Sequence, residues 1–218
     1  MKRSWVCCLL VLLPVTVLPA PAVLASETQT EPVPEVSLHL SKDMLVGGRF
    51  HQSKEQAGLP NPLQSQGEFL FWRDRGVHWS TETPVQQITV YRSDKTLQSI
   101  GDSGEVKEQK SRSERTFRRI LLDIFSFDEA QIERQFEQHW QVGEQQRWHL
   151  LLQPKTMTLK RALQQVTLSG GEFVDTLRIV DAKGLALEID FSEQHRSGQG
   201  LDAKSCQALF FYSPEQCQ

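Results

Sequence analysis

The stretch Gly67 to Pro84, GEFLFWRDRGVHWSTETP, constrains this chain more tightly than any other. Phe69, Leu70, Phe71 and Trp72 are consecutive large apolar residues, and aromatic enrichment over so short a run favours a strand. Asp74-Arg75-Gly76 supplies turn chemistry, with Gly76 able to take positive φ. Val77 and Trp79 then alternate with His78 and Ser80, the period-2 pattern of a second strand. The stretch reads as a β-hairpin with Phe69, Phe71, Val77 and Trp79 on one face. Leu70 and Trp72 point the other way, which leaves the first strand almost no polar face. A sheet apolar on both sides needs cover on both sides, from its own core or from something it holds.

The two ends of the chain bear on compartment. Lys2 and Arg3 precede an apolar run, Val6 to Leu18, that is broken by Pro14 and too short to span a bilayer. Val23-Leu24-Ala25 offers small residues for cleavage, so residues 1–25 read as a signal peptide of an exported protein. Cys7 and Cys8 leave with it. Residues 26–35, with Pro32 and Pro34, read as a flexible leader, and 36–218 as a single domain. Loss of Lys2 and Arg3 takes the formal charge from −3 to −5, which gives no electrostatic case for nucleic acid. Cys206 and Cys217 remain, an even number in an oxidising compartment, with Ser213-Pro214 able to turn the chain between them. A disulfide closing the tail is expected, the alternative being two free thiols.

Between these ends, β signals dominate. Val36, Leu40 and Met44 at four-residue spacing predict a short helix ended by Gly47-Gly48. Arg49 to Lys54 predicts a strand, and Ala57 to Ser65, with Pro60, Asn61 and Pro62, a loop. After the hairpin, Val85 to Tyr91 predicts a strand with Ile88 and Val90 on one face, and Thr96 to Ile100 its return. Residues 101–113 read as a charged loop. Phe117, Ile120, Leu121, Ile124 and Phe125 then form one apolar stripe at i, i+3, i+4, i+7 and i+8, with Ser111 and Glu114 at capping-box spacing ahead of it. A shorter helix follows through Ile132 to Phe136. Trp148 to Leu152, Leu163 to Leu168, Phe173 to Val180 and Leu185 to Phe191 predict strands. His195 to Asp202 reads as a loop before a last apolar run, Ala208 to Tyr212. The whole is α+β: one antiparallel sheet interrupted in the middle by helices.

Catalytic and metal signals are missing from the sequence. None of the six histidines has metal-ligand spacing, and His139 and His149 read as ordinary residues of neighbouring strands. Ser197-Gly198-Gln199-Gly200 has no strand-elbow-helix context, and Gly170-Gly171 has no P-loop lysine. Glu133 and Glu137 read as a solvated helix face. The sequence therefore offers no catalytic residue, no metal site and no cofactor, and points away from an enzyme.

Taken in order, Gly48-Arg49-Phe50-His51-Gln52, Gly67-Glu68-Phe69, Arg73, Trp79, Pro84, Phe136, the run Trp148 to Lys155, and Gly184 before the strand ending at Phe191 resemble the periplasmic lipoprotein carriers of the LolA-like family. The likeness runs from about Val36 to Tyr212 and is closest to a divergent LolA-related branch. It implies an unclosed, strongly curved antiparallel β-barrel covered by an α-helical lid. It also implies a periplasmic carrier that holds the acyl chains of a lipoprotein or other lipid and takes them from an inner-membrane exporter to an outer-membrane acceptor. On this resemblance the cavity residues would be Phe69, Phe71, Val77, Trp79, Ile88 and Val90. The lid would present Phe117, Ile120, Leu121 and Ile124, and Arg73 would latch it. The chain departs from the family pattern at Arg75-Gly76 and at the Cys206/Cys217 pair. No nucleic acid partner is expected, and the protein is expected to be a monomer. The alternative is a cell-envelope assembly factor whose sheet is filled by its own side chains.

Overall fold

The computed structural model describes residues 44–217, apart from 74, 102–103, 127–128 and 145–146. The expected signal peptide, the leader and the segment 36–43 of the expected first helix lie outside the described residues. Eleven strands form one antiparallel sheet in the order β6-β5-β4-β3-β2-β1-β11-β10-β9-β8-β7. The first six are β1 (Leu45–Lys54), β2 (Leu63–Trp72), β3 (Gly76–Thr83), β4 (Gln87–Tyr91), β5 (Thr96–Ile100) and β6 (Val106–Gln109). Helices α1 (Arg112–Ser126) and α2 (Glu129–Gln135) follow, then β7 (Phe136–Val142) and β8 (Trp148–Pro154). A single turn, α3 (Met157–Lys160), precedes β9 (Leu163–Gly170), β10 (Val174–Asp181) and β11 (Ala186–Ser197), and α4 (Ala203–Phe210) leads into a 3-10 turn, Pro214–Cys217. The sheet does not close on itself. Its free edges are β6 and β7, and the chain passes from one to the other through α1 and α2.

Register decides which side chains share a face. Phe69 pairs with Trp79 and Phe71 with Val77, so the hairpin's four residues do lie together. Phe50 of β1 pairs with Phe191 of β11, and Leu177, Leu168 and Leu150 carry the same apolar face across β10, β9 and β8. This inner face is a single buried cluster that also takes in Ile120, Leu121, Ile124 and Phe125 of α1. The α1 stripe is what sequence periodicity predicts, and its N-terminus is capped by Ser111 Oγ, which accepts from the Glu114 N–H at 3.0 Å.

The outer face of β1 to β5 carries a second core. Leu45, Trp72 and Val90, with Leu70, Ile88 and Leu97 beside them, pack against Cys206 and Phe210 of α4. Asp202 caps that helix by accepting from the Ser205 N–H at 2.8 Å. Cys206 and Cys217 are bonded, with Cα atoms 5.9 Å apart, and a loop of this length stabilises by about 3 kcal/mol. Arg92, buried to 5 % exposure, stacks 3.9 Å from the Tyr212 ring centroid and donates to the Phe211 carbonyl at 3.2 Å. Tyr212 in turn donates its hydroxyl to the Arg75 carbonyl at 2.6 Å. The tail thereby becomes part of the wall.

Several expectations are corrected. Gly47 and Gly48 do not end a helix; they lie inside β1 because a Cβ at Gly48 would come within 2.8 Å of the Ser192 carbonyl oxygen across the sheet. The loop expected over 101–113 contains β6, whose VKEQ sequence is a charged edge strand with no apolar alternation to read. Strand β11 runs on to Ser197 through a bulge, with Glu193 at φ 53°. The last apolar run starts within a helix, α4, which ends at Phe210 with Phe211 as its left-handed cap; Cys206 and Phe210, four apart, supply its buried stripe.

Gly67 tests this packing. An added Cβ would lie 1.9 Å from the Ser80 carbonyl oxygen, so the β2–β3 backbone would have to move. Gly67→Ala is expected to cost about 3 kcal/mol, whereas Gly198→Ala, with nothing within 4 Å, should stay within about 0.5 kcal/mol. Urea unfolding of the two variants checks it, and equal midpoints would contradict the close β2–β3 approach at Gly67.

Candidate functional site

The inner face beneath α1 is built from aromatic rings. Phe50 stacks on Trp79 with centroids 3.9 Å apart. Phe69 meets Phe191 edge-on at 5.2 Å. From the helix, Phe125 drops into this group, 5.6 Å from Phe69, 5.3 Å from Phe71 and 5.5 Å from Phe191. Offset and edge contacts of this kind add about 0.5–1.5 kcal/mol each beyond simple burial. Ile120, Leu121 and Ile124 are buried beside Phe125, while Phe117 is half-buried against Tyr91 at 5.5 Å. The space between helix and sheet is thus occupied by the protein's own side chains.

Polar groups mark the rim of that contact. Thr96 Oγ1 donates to Glu114 Oε1, joining β5 to the first turn of α1. Tyr91 lies close by, and burial, with the Glu114 carboxylate adding to it, pushes its hydroxyl pKa well above the usual value. Arg73 sits half-buried in the turn between β2 and β3.

Two of the six expected cavity residues fall elsewhere. The β3–β4 register pairs His78 with Val90 and Ser80 with Ile88, which puts both aliphatic residues on the outer face with Leu70 and Trp72. Thr89 and Tyr91 take the inner positions, opposite Trp79 and Val77. Parity alone could not choose, since β4 borders buried cores on both sides. The sequence reading also left Phe50, Phe125 and Phe191 out of the site. Phe125 was visible at i+8 of the stripe, but nothing local ties Phe50 to Phe191, which meet only through the β1–β11 pairing.

On the outer face a cavity of about 450 Å³ opens beside α4, lined by residues that include Gly47, Leu70, His78, His195 and Leu209. His78 Nδ1 donates to the Leu209 carbonyl at 2.7 Å, and burial lowers the imidazole pKa despite that bond and the nearby Glu68 carboxylate. Among the described residues, no group of three or more His, Cys, Asp or Glu is placed to hold a metal ion. No helix of the described residues is long and apolar enough to cross a membrane.

These features define an unclosed antiparallel barrel with a helical lid seated on an aromatic inner face. The chain belongs to the family described as outer membrane lipoprotein carrier protein LolA, whose pattern it matches over residues 44–205. A search of curated proteins finds no match. Among solved structures, a DUF1329 family protein from Desulfovibrio piger shares 11% identity over 80% of this chain and 95% of its own, with a TM-score of 0.43. A LolA superfamily protein from Nitrosomonas europaea shares 10% identity over 78% of this chain and 92% of its own, with a TM-score of 0.42.

Two outcomes follow from this geometry. Phe125→Ala should lower the unfolding free energy by about 3–4 kcal/mol, and Phe117→Ala, only half-buried, by clearly less; denaturant titration compares them, and a larger loss at Phe117 would misplace the helix. His78 also makes stability depend on pH. Its folded-state pKa lies below the ordinary value, so the unfolded chain binds the proton more readily. The associated stability is complete above about pH 6.5 and is lost as pH falls through the lower folded pKa. His78→Asn, whose amide can keep the bond to Leu209, should lose less stability than the parent between pH 7 and 5 in parallel melts.

Proposed function

We propose that this protein is a periplasmic carrier that holds the acyl chains of a lipoprotein or other lipid and moves them from an inner-membrane exporter to an outer-membrane acceptor, with no enzymatic step. The observation that carries this reading is the seating of α1. The helix links the two free edges of the sheet and rests on the inner face chiefly through apolar side chains. Such a contact can be exchanged for another apolar surface. Burial of Ile120, Leu121, Ile124 and Phe125 is worth about 1.5–3 kcal/mol each, or roughly 6–12 kcal/mol together. A sixteen-carbon acyl chain removed from water gains roughly 13 kcal/mol. The two are of one size, so cargo can take the place of the lid at little net cost. Membership of the lipoprotein carrier family supports the same conclusion.

In this scheme Phe69, Phe71, Val77 and Trp79 form the wall against which acyl chains lie. Phe117, Ile120, Leu121 and Ile124 cover them. Arg73 latches the closed state by donating to lid carbonyls, and cargo biases a two-state equilibrium through its differential affinity for the open form. The filled inner face favours a second reading, an envelope assembly factor whose sheet never opens.

Uptake separates the two. Purified from a periplasm and denatured, a carrier should release a co-purifying amphiphile to mass spectrometry, and the empty protein should take up a fluorescent fatty acid. Repeated absence of both results favours the assembly factor. Arg73→Leu should keep the fold, retain the probe more tightly and release it more slowly to an acceptor. Unchanged uptake and release at an unchanged melting temperature would remove the latch.

A further inference from the structure

The outer-face cavity has a chemistry of its own. His78, Leu70, Gly47 and His195 form one row across β3, β2, β1 and β11, each paired with the next. An imidazole stands at each end, and Gly47 leaves the middle open. A Cβ there would come within 3.1 Å of the His195 ring. His78 is only 9 % exposed, and donation from its Nδ1 to Leu209 makes Nε2 of the neutral ring an acceptor. That Nε2 has no protein partner among the described residues. His195 repeats the pattern, its Nδ1 donating to the Glu193 carbonyl at 3.3 Å, so its Nε2 is an acceptor as well. The carboxylates of Glu68 and Glu193 complete the lining.

The cation of the cavity is already engaged. Arg49 binds Glu82 at 2.7 Å and Glu68 at 3.2 Å, so one guanidinium faces three carboxylates once Glu193 is counted. What is left is negative field, two imidazole acceptors and an apolar floor of Leu70, Leu209 and the edge of Phe69. A metal ion is not the match, since among the described residues no three His, Cys, Asp or Glu side chains are grouped to hold one. A phosphate would be repelled by the carboxylates. A primary ammonium matches on every count: three donors, a positive charge and a stem that can lie on Leu70.

We propose that this outer cavity binds an alkylammonium group, its nitrogen hydrogen-bonded to His78 Nε2 and drawn by Glu193 and Glu68, its stem laid along Leu70 and Leu209. The ammonium can come from a free amine or from a lysine side chain. The site lies on the face opposite the lid and does not depend on the carrier reading.

The test is a titration at pH 7.5 with n-pentylamine, followed through the imidazole nitrogens of His78 and His195 by NMR, with 1-pentanol as the neutral control. Expected are saturable shifts with the amine and none with the alcohol. Glu193→Gln, an exposed and conservative change, should weaken binding about fivefold, in line with removal of one solvent-exposed charge pair. Blocked lysine (acetylated at Nα and amidated at the carboxyl) then distinguishes the sources: tighter binding than pentylamine assigns a lysine from a protein, weaker binding a free amine. Equal shifts with amine and alcohol, no shift with the amine, or an unchanged affinity in Glu193→Gln would overturn the proposal.

Discussion

The fold depends on one constraint: β2 and β3 bury side chains on both faces of a single sheet. Phe69, Phe71, Val77 and Trp79 need an inner cover, and Leu70, Trp72 and His78 an outer one. No strand can supply either, because the neighbours of a strand in its sheet lie beside it and not above it. Two helical segments meet the need from opposite sides, α1 within and α4 without. The rest of the sheet extends the inner surface until it can be spanned by the chain that joins its edges.

The two covers are fixed by different physics. The outer one is tied within itself by Cys206–Cys217, which joins α4 to the Pro214–Cys217 turn, and is held to the sheet by directed bonds of Arg92, His78 and Tyr212. Its removal would leave buried polar groups unpaired, a cost that apolar contacts do not carry. The inner one is held mainly by burial, with Thr96 and Glu114 meeting at its rim. Apolar burial is non-directional, so another apolar body can take over the contact. Under the carrier proposal, that asymmetry assigns movement to α1 and a fixed position to α4.

The same asymmetry separates the two candidate sites. Under the carrier proposal, the inner face selects by shape and apolarity, which suits acyl chains of varied identity. The outer cavity is lined by His78, His195, Glu68 and Glu193, which under the ammonium proposal select by charge. The two come together at the thin place in the wall at Gly47 and Gly48, where Phe69 contributes to both.

Sequence by itself determined the strands with strong alternation, the shared face of Phe69, Phe71, Val77 and Trp79 in the hairpin, and the stripe and cap of α1, because each is set by residues close together in the chain. A resemblance carried on dispersed residues supplied the barrel and lid. The tertiary structure alone decided which face Ile88 and Val90 occupy, since β4 borders a buried core on each side and parity has no preferred sense until β3 pairs with it. It alone decided that 106–109 is an edge strand, that Gly47-Gly48 serves the β1–β11 contact, and that Cys206 to Phe210 is helical. The Gly47-Gly48 contact and the packing of α4 rest on partners more than a hundred residues away, and the two strand outcomes rest on pairing with a neighbouring strand that the side chains of β4 and β6 do not announce.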